Sequence, residues 1–373
     1  MTAKVAAEKL ISLYLPNLEG GGAERMMLTL ARGLRSRGVR VDLVLAKAYG
    51  PYLAEAQAHV NVVDLDSNSA LASVPRLRRY LADKRPAAAL GTLPHASLAL
   101  LWAARTSGKR IRVVIREAST PSMVKPNGLD VKTRFARRLS RVFYPHADAV
   151  VAVSHGVARD LREYLGVPGS KITTIYNPVV ADSLPEAASE AIDHPWFRPG
   201  SPPVLLSVGR LGAEKDFQSL LRAFALVRGR VDARLVILGE GAERQRLERL
   251  SEELGIEEST CLPGFIANPF PYMARASVYV LSSEREGLPG SLIQAMACGC
   301  PVVSTDCPNG PREVLEDGRY GKLVPVGDHH AIAEAVLETL RCPPPAEQAK
   351  LRSRSFSEQS SFDSYLELLL PGD

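Results

Sequence analysis

Cysteine is scarce in this 373-residue chain: the five, Cys261, Cys298, Cys300, Cys307 and Cys342, all fall in its second half and are odd in number. That argues against a disulfide framework. No histidine or cysteine pair follows Cys298-Gly-Cys300 at zinc-ligand spacing, so both read as structural residues where a helix end leads into an apolar strand. No apolar run reaches the ~18 residues of a membrane-spanning helix. The opening stretch, Met-Thr-Ala-Lys-Val-Ala-Ala-Glu-Lys, mixes acid and base without a hydrophobic core of signal-peptide length. Both features point to the cytoplasm. Aromatic residues are only 6% and are not interleaved with the basic runs, which counts against nucleic acid as a partner. A complete Gly-x-Gly-x-x-Gly fingerprint is missing as well.

The length suits two domains, each able to bury a full core, and 46% hydrophobic with 23% charged residues is ordinary globular composition. Charge is unevenly divided. Residues 1–180 hold 27 Lys and Arg against 13 Asp and Glu, a net of +14, and the remainder holds 19 against 28, a net of −9, giving +5 in total. A basic first half suits anionic lipid head groups, a phosphorylated acceptor or, as an alternative, nucleic acid.

Apolar strand patterns alternate with helical ones along the first half: Ile11 to Leu15, a helix to about Arg37 with Met26, Met27, Leu30 and Leu34 at helical spacing, then Val39 to Ala46, Val60 to Leu65, Ala87 to Gly91, Ile111 to Arg116 and Ala149 to Val153. That alternation specifies an α/β protein with parallel sheets covered on both faces, whose working groups sit at the carboxyl ends of strands. Gly20-Gly21-Gly22 joins the first strand to its helix in the manner of a nucleotide-binding turn. His95 and Arg116 mark two later strand ends and are acceptor-side candidates. His95 reads first as a helix-start residue, and Arg116 equally as a member of a structural ion pair. From Lys132 to Phe143 a basic amphipathic helix is expected, with Phe135, Leu139, Val142 and Phe143 on one face; it either packs on the sheet or lies on an anionic bilayer. Expected domains are 1–180, a Pro-, Ala- and Glu-rich crossing at 181–203, a second Rossmann-like body at 204–350, and a terminal helix at 351–373.

In the second half an apolar run into Gly209 leaves Arg210 and Lys215 in the loop beyond a strand end, where two cations can clamp a diphosphate. Downstream, Ser283 to Gly310 holds an acid, a turn, a helix and a buried strand. Pro289 at the N1 position predicts a helix starting near Leu288. Gly287 and Gly290 allow close backbone approach, and the free amides of Gly290, Ser291 and Leu292 carry the positive end of the helix dipole. Glu286 precedes that turn, and Gln294 projects on the same face as Gly290, one turn deeper.

Glu286, seven intervening residues and Gln294, together with Gly209, Arg210 and Lys215, resemble the group 1 family of retaining GT-B glycosyltransferases, whose second signature position is usually glutamate. The resemblance implies two Rossmann-like, doubly wound domains facing each other across a cleft, and transfer of a sugar from a nucleoside diphosphate sugar to an acceptor hydroxyl. It also implies roles for individual residues. Arg210 and Lys215 would hold the diphosphate, Glu286 the donor sugar and Gln294 the ribose. Phe265 and Ile266, in Leu262-Pro-Gly-Phe-Ile, would face the nucleobase, with Asn268 and Tyr272 close by, while Gly21 and Gly22 would approach donor phosphate and sugar from the first domain. Phe265 reads equally as a core residue. Many relatives carry a histidine near Ala118, which this chain lacks. The expected activity is retaining, metal-independent transfer of a hexose or N-acetylhexosamine, from a UDP-sugar in preference to GDP-mannose, to a lipid-linked glycan or lipopolysaccharide at the cytoplasmic membrane face. No cofactor is expected. A sugar-nucleotide epimerase is the other enzyme class compatible with two such domains.

Overall fold

The computed structural model describes residues 9–19, 21–123 and 138–372. The chain divides into two compact units, one of residues 1–178 with 358–373 and the other of residues 179–357.

The first unit runs β1 (Leu10–Leu15), α1 (Gly22–Ser36), β2 (Arg40–Leu45), α2 (Leu53–His59), β3 (Asn61–Asp64), α3 (Val74–Lys84), β4 (Ala88–Thr92), α4 (Pro94–Thr106), β5 (Arg112–Glu117), β6 (Ala149–Ala152), α5 (His155–Glu163) and β7 (Ile172–Thr174). Its strands pair in parallel in the order β3-β2-β1-β4-β5-β6-β7. All six residues of β1 are buried, as expected of a strand covered on both faces. On α1 the predicted apolar positions Met26, Met27, Leu30 and Leu34 face the core.

The second unit contains α6 (Leu184–Ser189), β8 (Val204–Val208), α7 (Phe217–Arg228), β9 (Arg234–Leu238), α8 (Arg244–Glu253), β10 (Thr260–Gly264), α9 (Phe270–Arg275), β11 (Val278–Leu281), α10 (Gly290–Ala297), β12 (Val302–Thr305), α11 (Pro311–Val314), β13 (Lys322–Val324), α12 (His329–Arg341) and α13 (Ala346–Ser353). Its parallel order is β10-β9-β8-β11-β12-β13. Both sheets therefore follow the doubly wound Rossmann order, in which the chain reverses direction of growth between the first and fourth strands. Those switch points lie between β1 and β4 in one unit and between β8 and β11 in the other.

The last helix, α14 (Glu358–Leu369), belongs to the first unit, beginning later than the expected 351. Its Phe362 lies so close over α1 that a Cβ on Gly33 would sit 2.3 Å from the ring. Arg37 adds an ion pair to Asp363 at 2.7 Å and stacks on Phe362.

The stretch expected as an open crossing, 181–203, is instead part of the second unit. Helix α6 packs on α9, Asn268 Nδ2 donates to the Ala187 carbonyl at 2.9 Å, and His194, Trp196, Phe197 and Tyr272 form an edge-to-face cluster. Three rings in a Pro-rich segment supply the burial that composition conceals. Residues 124–137 of the predicted basic segment lie outside the described residues. Of the rest, Leu139 and Phe143 are half-buried and Val142 is exposed.

Candidate functional site

At the switch point of the second unit two loops are stitched together. The first leaves β8 at Val208. Gly209 donates its amide to the Leu238 carbonyl at 2.9 Å, and Gly239, at φ +144°, comes so near that a Cβ there would lie 1.9 Å from the Gly209 carbonyl oxygen. Gly239 needs to be glycine because two backbones touch there. The loop then makes a short 3-10 turn at Ala213–Lys215, and Asp216, in the left-handed region, caps α7 by accepting the Ser219 amide.

The second loop leaves β11 at Leu281. Its Ser282 hydroxyl donates to the Lys215 carbonyl at 2.8 Å, and the Glu284 amide donates to the Glu214 carbonyl at 2.9 Å. These bonds align the charged side chains. Lys215 Nζ reaches Glu286 Oε1 at 2.7 Å, and the Ser283 hydroxyl donates to the same oxygen at 2.7 Å. Ser283 is itself held by Thr305, whose hydroxyl donates to its carbonyl at 2.6 Å. With side-chain exposures of 20% and 11%, the Lys215–Glu286 pair is shielded from water and its charges act at short range.

Arg210 differs. Its side chain is 75% exposed and its guanidinium rests on Glu214 at 2.5 Å. Partial burial pushes the Glu214 carboxyl up, but its own backbone amide and the Arg210 charge outweigh that and hold it below the usual range.

Helix α10 begins at Gly290, two residues after the expected start. Pro289 is the cap residue, with ψ 90°, and its carbonyl accepts the Ile293 amide. The pyrrolidine ring is packed against Gly310, where a Cβ would lie 2.6 Å from it. In the first turn, the Ser291 hydroxyl is tied to the Tyr279 hydroxyl at 2.7 Å. Burial, with Glu286 nearby, pushes the Tyr279 phenol well up, so it stays a neutral donor. Leu288 and Leu292 are buried, Gly287 is half-buried, and the half-buried Gln294 side chain makes no hydrogen bond with a described residue. The site thus offers a shielded ammonium and carboxylate, an exposed guanidinium paired with Glu214 and the open amides of a helix start, all on one unit.

Phe265 is 75% exposed and Ile266 half-buried, just beyond β10; Phe265 is not a core residue. Asn268 and Tyr272, expected beside them, are engaged by the 187–197 segment instead.

In the first unit, Gly21 is the cap residue of α1 and Gly22 its first residue, with the Glu24 carboxylate folded back over Gly21; Gly20 lies outside the described residues. His95 is half-buried in the first turn of α4. Arg116 lies inside the unit with neutral partners. It is 2% exposed, donating to Thr92 Oγ1 at 3.1 Å and Asn177 Oδ1 at 2.7 Å, and it forms no ion pair with a described residue, in place of the structural ion pair expected as one reading. Asp64-Leu65-Asp66 has the Asp-x-Asp spacing of a metal site, but Asp64 Oδ1 accepts the Ala48 and Asp66 amides and Asp66 pairs with Arg76. Those carboxylates serve a turn.

Sequence reading missed the scaffold: Ser282, Ser283, Thr305 and Tyr279. The available signal was two polar pairs, Ser282-Ser283 and Ser304-Thr305, placed at the ends of otherwise apolar strands and buried to 1% or less.

Comparison with known proteins agrees with this arrangement. The family model for glycosyl transferases group 1 matches residues 188–356, and that for glycosyltransferase family 4 matches residues 20–183. A Campylobacter jejuni protein, N-acetylgalactosamine-N,N'-diacetylbacillosaminyl-diphospho-undecaprenol 4-alpha-N-acetylgalactosaminyltransferase, is 32% identical over 336 residues, covering 87% of this chain and 88% of that one. Lipopolysaccharide 1,6-galactosyltransferase of Salmonella typhimurium is 30% identical over 49% of each chain. The crystal structure of Anabaena HepE in complex with UDP superposes with TM-score 0.80 over 97% of this chain and 99% of that one, at 20% identity. On this fold, these family matches and this relative, the chain belongs to the group 1 glycosyltransferases of GT-B fold.

Proposed function

We propose that this glycosyltransferase moves an N-acetylhexosamine or hexose from a UDP-sugar to a glycan carried on a lipid diphosphate, with retention at the anomeric carbon and without a metal. The observation that carries the reading is the Lys215–Glu286 pair beside the start of α10. A lysine ammonium has three protons, and Glu286 takes one. The others are open to a phosphate oxygen, so one side chain links the leaving diphosphate to the acid that orients the donor sugar. Charge building on the diphosphate as the glycosidic bond breaks is met by Lys215, Arg210 and the amides of Gly290, Ser291 and Leu292, groups already in place. Gln294 would accept from a ribose hydroxyl through its amide oxygen.

The acceptor class follows the relatives that act on undecaprenol-linked sugar and on lipopolysaccharide, and it fits the basic first half of the chain, which would work at the cytoplasmic face of the membrane. UDP is favoured over GDP because a neighbour of the same fold was solved with UDP bound. To test the reading, purified protein in EDTA is offered UDP- and GDP-sugars with a polyprenyl diphosphate-linked sugar, and nucleotide release and product anomer are measured. Acceptor-dependent UDP release with the α-configuration retained is expected. Strict dependence on a divalent metal, or conversion of the donor with no acceptor present, would refute it, the latter in favour of an epimerase.

A further inference from the structure

Part of the positive surplus of the first half lies on two neighbouring helices. Helices α3 and α4 pack side by side, and Arg78 Nε donates to the Thr106 carbonyl at 2.7 Å, which sets their exposed stripes next to each other. Along α3 and its left-handed cap residue that stripe shows Arg79, Lys84 and Arg85 to solvent. Along α4 and the turn after it come Arg105, Lys109 and Arg110. None of these six forms an ion pair with a described residue, and Asp83 is the single acid within 74–85 and 102–110. Other surface arginines are paired with acids: Arg25 and Arg32 share Glu55, and Arg312 holds Asp306 and Asp317. What sets this stripe apart is six such cations on two adjoining helices with one acid among them.

One side chain in this stripe does not suit water. Trp102 is 55% exposed, one helical turn before Arg105, while its neighbours Leu101 and Ala103 are buried in the core. A large indole left in solvent, with Arg105 one turn along and basic residues on the adjoining helix, has the amphipathic character of an interfacial anchor: the ring enters the boundary between head groups and chains while long basic side chains stay at the phosphates. A single aromatic on a convex helix pair offers no platform for stacking successive bases, so lipid fits better than nucleic acid.

We propose that the α3–α4 face docks the enzyme on an anionic bilayer, with Trp102 inserted at the head-group level and Arg79, Lys84, Arg85, Arg105, Lys109 and Arg110 over lipid phosphates. The proposal deepens the reading of a lipid-borne acceptor and rests on it for its purpose. It names a surface distinct from the 132–143 segment to which the sequence drew attention.

The chain has two tryptophans, so Trp196→Phe leaves Trp102 as the sole indole reporter. Vesicles of phosphatidylglycerol and phosphatidylethanolamine are titrated into this variant, with phosphatidylcholine vesicles and an RNA duplex as the other arms. Expected are a blue-shifted Trp102 emission, quenching by lipid brominated near the head group, and loss of both in high salt, with the anionic vesicles alone. Arg79→Gln with Arg105→Gln should weaken partition about thirtyfold, from the charge contribution of two basic side chains at such a surface. Trp102→Ala should weaken it separately, and the melting temperature should be unchanged in both. Equal binding to phosphatidylcholine, undiminished binding by the double variant, or duplex binding with no Trp102 shift in lipid overturns the proposal. UDP release with a water-soluble acceptor analogue and no vesicles is followed in parallel, so a failure of the transfer reading shows itself independently.

Discussion

Lys215 Nζ lies 2.7 Å from Glu286 Oε1, and the two belong to loops 71 residues apart in sequence. The pair is built, not incidental: Ser282 and Ser283 orient one partner each, and Thr305 holds Ser283 from the neighbouring strand. Removing either charge leaves the other shielded and unmatched. Lys215→Met or Glu286→Gln should each cost about 2–4 kcal/mol of stability, somewhat less than a fully buried pair because both are partly open to water. The double variant should recover about 1–3 kcal/mol of the summed loss. Urea unfolding of the four proteins checks this, and purely additive losses would count against a working pair.

Arg210 separates binding from folding. Its side chain is three-quarters exposed and its ion pair with Glu214 contributes little to stability. Arg210→Ala should leave the melting temperature within about 2 °C and reduce kcat/KM for the donor about a hundredfold, the scale of one lost charge-assisted contact to a developing anion. Steady-state kinetics with a thermal melt measures both.

Gln294 is a sensitive reporter of the ribose. Its side chain has no hydrogen-bonding partner among the described residues and projects from the second turn of α10. A carboxylate there would make a charge-assisted bond, so Gln294→Glu should tighten UDP binding by about 1 kcal/mol, or roughly fivefold, with little effect on inorganic diphosphate. Calorimetric titration with both ligands tests it; an equal change for the two would place the residue away from the sugar.

Gly33 fixes the contact of the terminal helix. With Phe362 carbons 2.3–2.4 Å from any added Cβ, Gly33→Ala forces the ring aside. The expected cost is about 1–3 kcal/mol despite the better helix propensity of alanine, and Phe362→Leu in the same protein should relieve part of it. Chemical denaturation decides.

Thiol reactivity follows burial. Burial pushes both Cys298 and Cys307 up to about 12, against Lys350 and Lys215 respectively, which act the other way. At pH 8 their thiolate fractions are then about 1 in 10⁴, so both should react with a disulfide reagent roughly a thousandfold more slowly than an ordinary exposed thiol, quickening as pH rises toward 12. Cys342 is exposed and should react first. Mass spectrometry of the labelled protein over time gives the order.

Much of this was legible in the chain before any coordinates, for physical reasons that differ by residue. Met26, Met27, Leu30 and Leu34 announce their helix because a buried helix face must repeat at 3.6 residues. Gly209, Lys215 and Glu286 were legible as a group through the family resemblance, and the doubly wound sheet, which brings the loops after its first and fourth strands to one switch point, is the physical reason that they meet. Arg116 was not, since neutral partners such as Thr92 and Asn177 leave no charge pattern to find. Nor was the packing of 181–203, where a cluster of rings without periodicity does the work of a helix face. The serines under Glu286 escaped notice because the polar pair Ser282-Ser283 at a strand end does not itself show which carbonyl or carboxylate its hydroxyls meet.

The central claim is that Lys215, Arg210 and the head of α10 receive one diphosphate. Calorimetric titration of UDP, in EDTA, into the wild type, Arg210→Ala and Lys215→Met measures it most directly. The account predicts saturable one-to-one binding without metal, weakened about tenfold or more in each variant. Undiminished affinity in both variants would contradict it.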